Sequence, residues 1–130
     1  MRTATIDPEL LANPTAVLAT NGQDAHPQLT AVWYIVEDDR ICISIDESTR
    51  KAKNLAIESR CSVLTFHPET PNYYVEIRGS ARIEPDHDYL FADRLGQRYG
   101  TDMRSFDSID TRRLRVAIDP LKVIVTDVRG

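Results

Sequence analysis

Ser48-Thr49-Arg50-Lys51-Ala52-Lys53-Asn54-Leu55 places three cations in four residues of a chain whose formal net charge is −4. It follows an apolar run, Arg40 to Ile45, and opens a helical pattern of Ala52, Leu55 and Ala56. A strand, a hydroxyl-bearing turn and a basic helix start together suit an anion. The first N–H groups of a helix lack partners, and the helix dipole favours negative charge there. Arginine adds a two-pronged donor and lysine a point charge, which fits a phosphate ester. The same residues would also serve as a solvated helix face with no chemistry. Arg50 and Lys53 point off the apolar side together with Ile57, which suits a ligand rim or a subunit contact better than plain solvent.

Few other residues have types and spacings that could react. His26, His67 and His87 stand in separate loops or helix starts without paired ligand spacing, so no metal site is expected. His26 and His67 each precede proline, which favours extended loop geometry. Cys42 and Cys61 lie in apolar runs and read as small reduced core residues, with a redox pair as the alternative. Trp33 and Tyr74 can either pack on a planar ring or fill a core or interface. Glu76 and Arg78 share a strand face and can simply pair across strands.

The elements that must position these residues are mostly strands. Asp7-Pro8-Glu9 starts a helix that Asn13-Pro14 ends. Residues 15–20 read as a strand, Asn21-Gly22 as a tight turn and 27–36 as a second strand. Both faces of 27–36 are largely apolar, so cover is expected on both sides. Ile41, Ile43 and Ile45 alternate with Cys42, Ser44 and Asp46 on a third strand. A helix over 49–59 leads to a fourth strand, Arg60–Phe66. The longest strand pattern covers 73–84, where Gly79 predicts a bulge or a close approach of another backbone. Pro85-Asp86 opens a second helix that Gly100 stops. A loop or short helix runs to Thr111, and a last strand region covers 114–126, broken at Asp119-Pro120.

About six strands with tight turns and few helices predict a mainly β fold, a small antiparallel barrel with helices across its mouths. The 130 residues fit one domain, 1–130. The acidic balance argues against a nucleic-acid partner. No apolar run approaches the roughly 18 residues of a membrane helix, and Met1 to Leu11 has no signal-like apolar stretch. A cytoplasmic protein with no membrane partner is the expectation.

Five pieces follow one another in a familiar order. They are Ala16-Val17-Leu18-Ala19-Thr20 before Asn21-Gly22; Pro27 to Tyr34; Ile43-Ser44-Ile45 before Ser48 to Leu55; Arg60 to Leu64; and Tyr74-Val75-Glu76-Ile77-Arg78-Gly79-Ser80-Ala81. The ordered set resembles the split-barrel flavin and deazaflavin oxidoreductases, the superfamily of pyridoxamine 5′-phosphate oxidase. The Trp33-Tyr34 pair, the Tyr74 to Gly79 segment and the short length look most like its coenzyme F420 branch. The resemblance implies a six-stranded antiparallel split β-barrel that works as a homodimer, with cofactor sites at the interface. It implies that Arg50 and Lys51 hold the cofactor phosphate, with Lys53 on the phosphate or an acidic tail and Ser48, Thr49 and Asn54 adding hydrogen bonds. Thr30, Ala31, Val32 and Trp33 would lie along the tricyclic ring, with Ser44 and Ile45 on the neighbouring strand. Tyr73, Tyr74, Arg78 and Tyr99 would reach the cofactor of a partner subunit.

The implied activity is F420-dependent hydride transfer to or from a small conjugated substrate, with no catalytic side chain singled out. The alternatives are an FMN-dependent oxidase or reductase of the pyridoxamine-phosphate oxidase type, and a non-catalytic protein binding flavin, deazaflavin or another planar ligand such as haem. Asp46 and Glu47 depart from the pattern, since two acids beside an acidic tail are unhelpful unless they point away.

Overall fold

In this computed structural model residues 3–129 are described; Met1 and Arg2, the start of the segment read for a signal, lie outside them with Gly130. In chain order α1 (Pro8–Leu11) precedes β1 (Ala16–Asn21), β2 (Pro27–Val32), β3 (Ile35–Glu37), β4 (Arg40–Asp46), α2 (Arg50–Ile57), β5 (Arg60–Phe66), β6 (Tyr73–Pro85), α3 (Leu90–Tyr99) and β7 (Arg113–Asp127). Short 3-10 turns lie at Thr3–Thr5, His87–Tyr89 and Met103–Phe106. All seven strands join one antiparallel sheet in the order β2-β1-β5-β6-β7-β4-β3. Its two edges, β2 and β3, are linked only by Trp33 and Tyr34. Two residues span only about 7 Å of chain, so the sheet must curl until its edges meet. The result is the expected mainly β split barrel.

Seven strands appear where six were expected, because the 27–36 pattern divides at Tyr34. The buried Tyr34 hydroxyl donates to the carbonyls of Leu11 at 2.9 Å and Asn13 at 2.8 Å. Its amide donates to the Tyr99 hydroxyl at 3.0 Å, and its carbonyl accepts from the Arg98 guanidinium. Side chains of α3 thus satisfy backbone groups that a strand partner would otherwise hold.

Gly79 shows both features its position predicts. The β6–β7 register shifts between Arg78 and Gly79, and a Cβ at Gly79 would strike the Asp119 carbonyl and the Ile118 side chain. The bulge lets β7 continue through Asp119 and Pro120, which lacks a ladder donor, instead of breaking there. The barrel interior is filled by Leu18, Tyr34, Ile41, Ile43, Val63, Val75, Ile77, Val116 and Ile118. Phe91, Ala92 and Leu95 of α3 cover Cys42 and Ala117 on the outside. Both cysteines are free and buried, and burial pushes the Cys61 thiol up to about 11, which leaves it inert.

The outer face of β2 is not covered within one chain: Ala31 is exposed and Leu29 is 68% exposed. The cover expected on both sides of this strand is therefore present on one. No helix among the described residues is long and apolar enough to cross a membrane.

Candidate cofactor site

Helix α2 starts from the end of β4 and reaches β1 and β2 through Asn54. Thr49 caps it, donating to the Asp46 carbonyl at 2.7 Å and accepting from the Ala52 amide at 3.4 Å. The Asp46 carboxylate accepts the Ser48 amide at 2.9 Å, so it is engaged in the turn, while Glu47 and Ser48 are exposed. Ala52 and Leu55 anchor the inner face of α2; Ala56, expected with them, is exposed, and Asn54 takes the buried place instead.

Successive helical residues turn by about 100°, so the three cations diverge. Arg50 is exposed and lines a cleft of about 510 Å³ with Gly22, His26, Gln28 and Asn54. Lys51 is half-buried on the opposite flank, where burial first and Arg113 second lower its pKa and Asp46 partly offsets them. Lys53 stands in solvent. The Asn54 amide donates to Thr20 Oγ1 at 3.1 Å and Gln28 Oε1 at 3.3 Å, tying α2 to β1 and β2.

Among the described residues, three buried side-chain oxygens lack a hydrogen-bond partner: Thr30 Oγ1, Ser44 Oγ and Asn54 Oδ1. All three belong to the set implied by the sequence resemblance. Leaving such an atom unsatisfied typically costs about 1–3 kcal/mol. Thr30 alternates with exposed Leu29 and Ala31 and faces the barrel interior, Ser44 shares the outer face of β4 with Cys42, and Asn54 lies on the buried side of α2. An unpartnered amide oxygen on a basic helix start fits a polar planar group carrying a phosphate.

Val32 and Ile45 are 9% and 2% exposed, so they can offer a ligand little beyond their backbone. Trp33 stacks on Tyr99 with ring centroids 4.3 Å apart and meets the edge of Phe106. Tyr73 and Tyr99 are engaged within the chain rather than free for a partner's site. The Tyr73 hydroxyl donates to Asp7 at 2.8 Å, and Tyr99 holds the Tyr34 amide. Tyr74 and Arg78 stand on the outer face of β6, three strands or about 14 Å from β2. Arg78 pairs with Glu76 at 3.0 Å. Within one chain, neither joins the α2 residues.

Sequence reading missed a buried group beside Lys51. Arg113 grips Asp107 through Nε at 2.8 Å and Nη2 at 2.6 Å, and Tyr89 donates to the same carboxylate at 2.7 Å. Only the β4–β7 register, which sets Arg113 opposite Asp46, brings it here. No local spacing signals it.

A family model described as pyridoxamine 5′-phosphate oxidase matches residues 3–127. No curated protein matches. Among solved structures, an F420 reductase is 24% identical, with 88% of this chain and 93% of that one covered and a TM-score of 0.79. A conserved hypothetical protein from Mycobacterium tuberculosis is 28% identical over 99% of this chain and 86% of its own, at a TM-score of 0.78. A heme-binding protein from Mycobacterium smegmatis shares the fold at 20% identity and a TM-score of 0.69, covering 94% of this chain and 52% of its own. With nearly the whole length matched, the chain belongs to the pyridoxamine 5′-phosphate oxidase family, within the superfamily of flavin-binding oxidoreductases.

Proposed function

We propose that this protein is an F420-dependent oxidoreductase, moving a hydride between the reduced deazaflavin and a small conjugated organic molecule. The observation that supports the reading is the basic start of α2, where exposed Arg50 lines a cleft of about 510 Å³ with Gln28 and Asn54 and half-buried Lys51 stands on the other flank. Lys53 favours the deazaflavin, because it is exposed one turn beyond Arg50 on the same outward side, where an acidic tail leaving the phosphate would meet it. One similar structure also bears the name F420 reductase.

The bound cofactor supplies the hydride chemistry. Arg50 and Lys51 hold its phosphate at the α2 start, with Ser48 and Thr49 beside them. The strand segments Thr30 to Val32 on β2 and Ser44-Ile45 on β4 align the ring through their backbone. Trp33, fixed by Tyr99, closes one end and keeps water out. The uncovered face of β2 is the contact of a homodimer, and across it Tyr74 and Arg78 reach the second copy's site. The substrate is a small molecule, and the protein works in the cytoplasm.

An FMN-dependent reaction is the second reading, favoured by exposed Glu47, which would repel an acidic tail beside the phosphate. Titrating the ligand-free protein with F420 and FMN side by side, by quenching of cofactor fluorescence, tests both. Tighter F420 binding is expected. FMN binding without F420 binding selects the second reading, and binding of neither sinks both.

A further inference from the structure

We propose that Arg113 completes the anion cradle: Lys51 on α2 and Arg113 on β7 clasp the cofactor phosphate from opposite sides, and Asp107 with Tyr89 holds Arg113 in place for it. The inference rests on the reading that a phosphate-bearing cofactor binds at the α2 start.

Arg113 pairs with Asp46 across the β4–β7 ladder, and the Glu47 amide donates to the Arg112 carbonyl at 2.9 Å, so Arg113 flanks the turn that leads to Lys51. Both cations are half-buried, and Arg113 helps to lower the pKa of Lys51. Two like charges at a partly dry site are unfavourable unless something negative lies between them. Lys51 has no carboxylate within ion-pair distance among the described residues, and the nearest acid, Asp46, spends its carboxylate on the Ser48 amide. Asp107 is committed too. Its side chain is only 6% exposed, and it accepts Nε and Nη2 of Arg113 and the Tyr89 hydroxyl. That fork leaves the Arg113 Nη1 edge as the donor not used on Asp107.

Strand register sets the geometry. Arg113 lies opposite Asp46, and Arg115 lies opposite Ser44, whose hydroxyl lacks a partner. Ser44 and Asp46 share one face of β4. One anion set at the Asp46 end of this face would meet Lys51 and the free edge of Arg113. A guanidinium already fixed by a carboxylate loses little freedom when it binds a phosphate. Arg113 is thus a binding residue, and Asp107 and Tyr89 are positioning residues.

The test compares wild type, Asp107→Asn and the double variant Arg113→Gln/Asp107→Asn. The double variant keeps the net charge, leaves no unpaired buried carboxylate and still offers Tyr89 an acceptor. Each protein is titrated with FMN and with riboflavin, and with F420 and its phosphate-free core. The double variant is expected to lose about ten- to a hundredfold in affinity for the phosphate-bearing form. Its affinity for the phosphate-free form should stay unchanged, and Asp107→Asn, which loosens Arg113, should lose several-fold in affinity for the phosphate-bearing form only. Equal loss for both forms, or no loss for either, overturns the inference and leaves the cofactor reading standing. Wild type that binds neither FMN nor F420 overturns the reading and the inference together. If the double variant does not fold, Arg113→Lys decides: a several-fold loss confined to the phosphate-bearing form supports the inference, and wild-type affinity overturns it.

Discussion

Lys51 shows how a residue proposed to bind can weigh on its own fold. Burial, and then Arg113, holds its pKa below the ordinary value. A lysine lowered in this way binds protons more readily unfolded, so it subtracts stability at neutral pH. The deficit fades as pH rises from the lowered value toward the ordinary 10.5. Lys51→Met is therefore expected to raise the thermal midpoint of the ligand-free protein by roughly 2 °C at pH 7. The same change should weaken cofactor binding by about ten- to a hundredfold. Wild type should close the stability gap in alkaline buffer. An unchanged affinity would place the ligand elsewhere. At this scale the cations of α2 were legible, because three charges in four residues stand out in an acidic chain. Arg113 was not, because its neighbours Lys51 and Asp107 meet it only through the β4–β7 ladder and the loop that precedes β7.

Periodicity located most elements and failed where a side chain from elsewhere overrides the backbone. The strand pattern runs on through residues 27–36, yet the ladder stops after Val32, and the Tyr34 amide is taken by the Tyr99 hydroxyl of α3. No pattern local to 27–36 encodes a hydroxyl that arrives from α3. Gly79 was legible for the opposite reason, since a glycine inside a long strand pattern carries its own backbone signal. Tyr99→Phe keeps the ring stacked on Trp33 but leaves the Tyr34 amide without its acceptor. The expected loss is about 1–3 kcal/mol in urea unfolding. A loss near zero would show that the β2–β3 joint holds without α3.

At the scale of the molecule, the outer sheet face carries one continuous row from β2 to β7: Ala31, Val17, Leu64, Glu76 and Ile124. A parallel row holds Leu29, Ala19, Ser62, Arg78 and Lys122. An apolar strip with polar members toward one side suits a paired surface better than open water. Wild type is expected to sediment as a dimer at micromolar concentration, and Leu29→Arg as a monomer with weakened cofactor binding. A wild-type monomer would sink the interfacial site. The sheet order has a cost of another kind. Because β2 and β3 are both terminal, each presents unpaired amides and carbonyls along one side, and β2 adds the exposed Leu29. Such edges are templates for unwanted strand addition. Charged Asp38 beside β3 and Pro27 at the head of β2 are residue types that disfavour such addition. If the proposed cofactor enters at the opening between these edges, the place that receives it is also the place where the sheet is most open to unwanted strand addition.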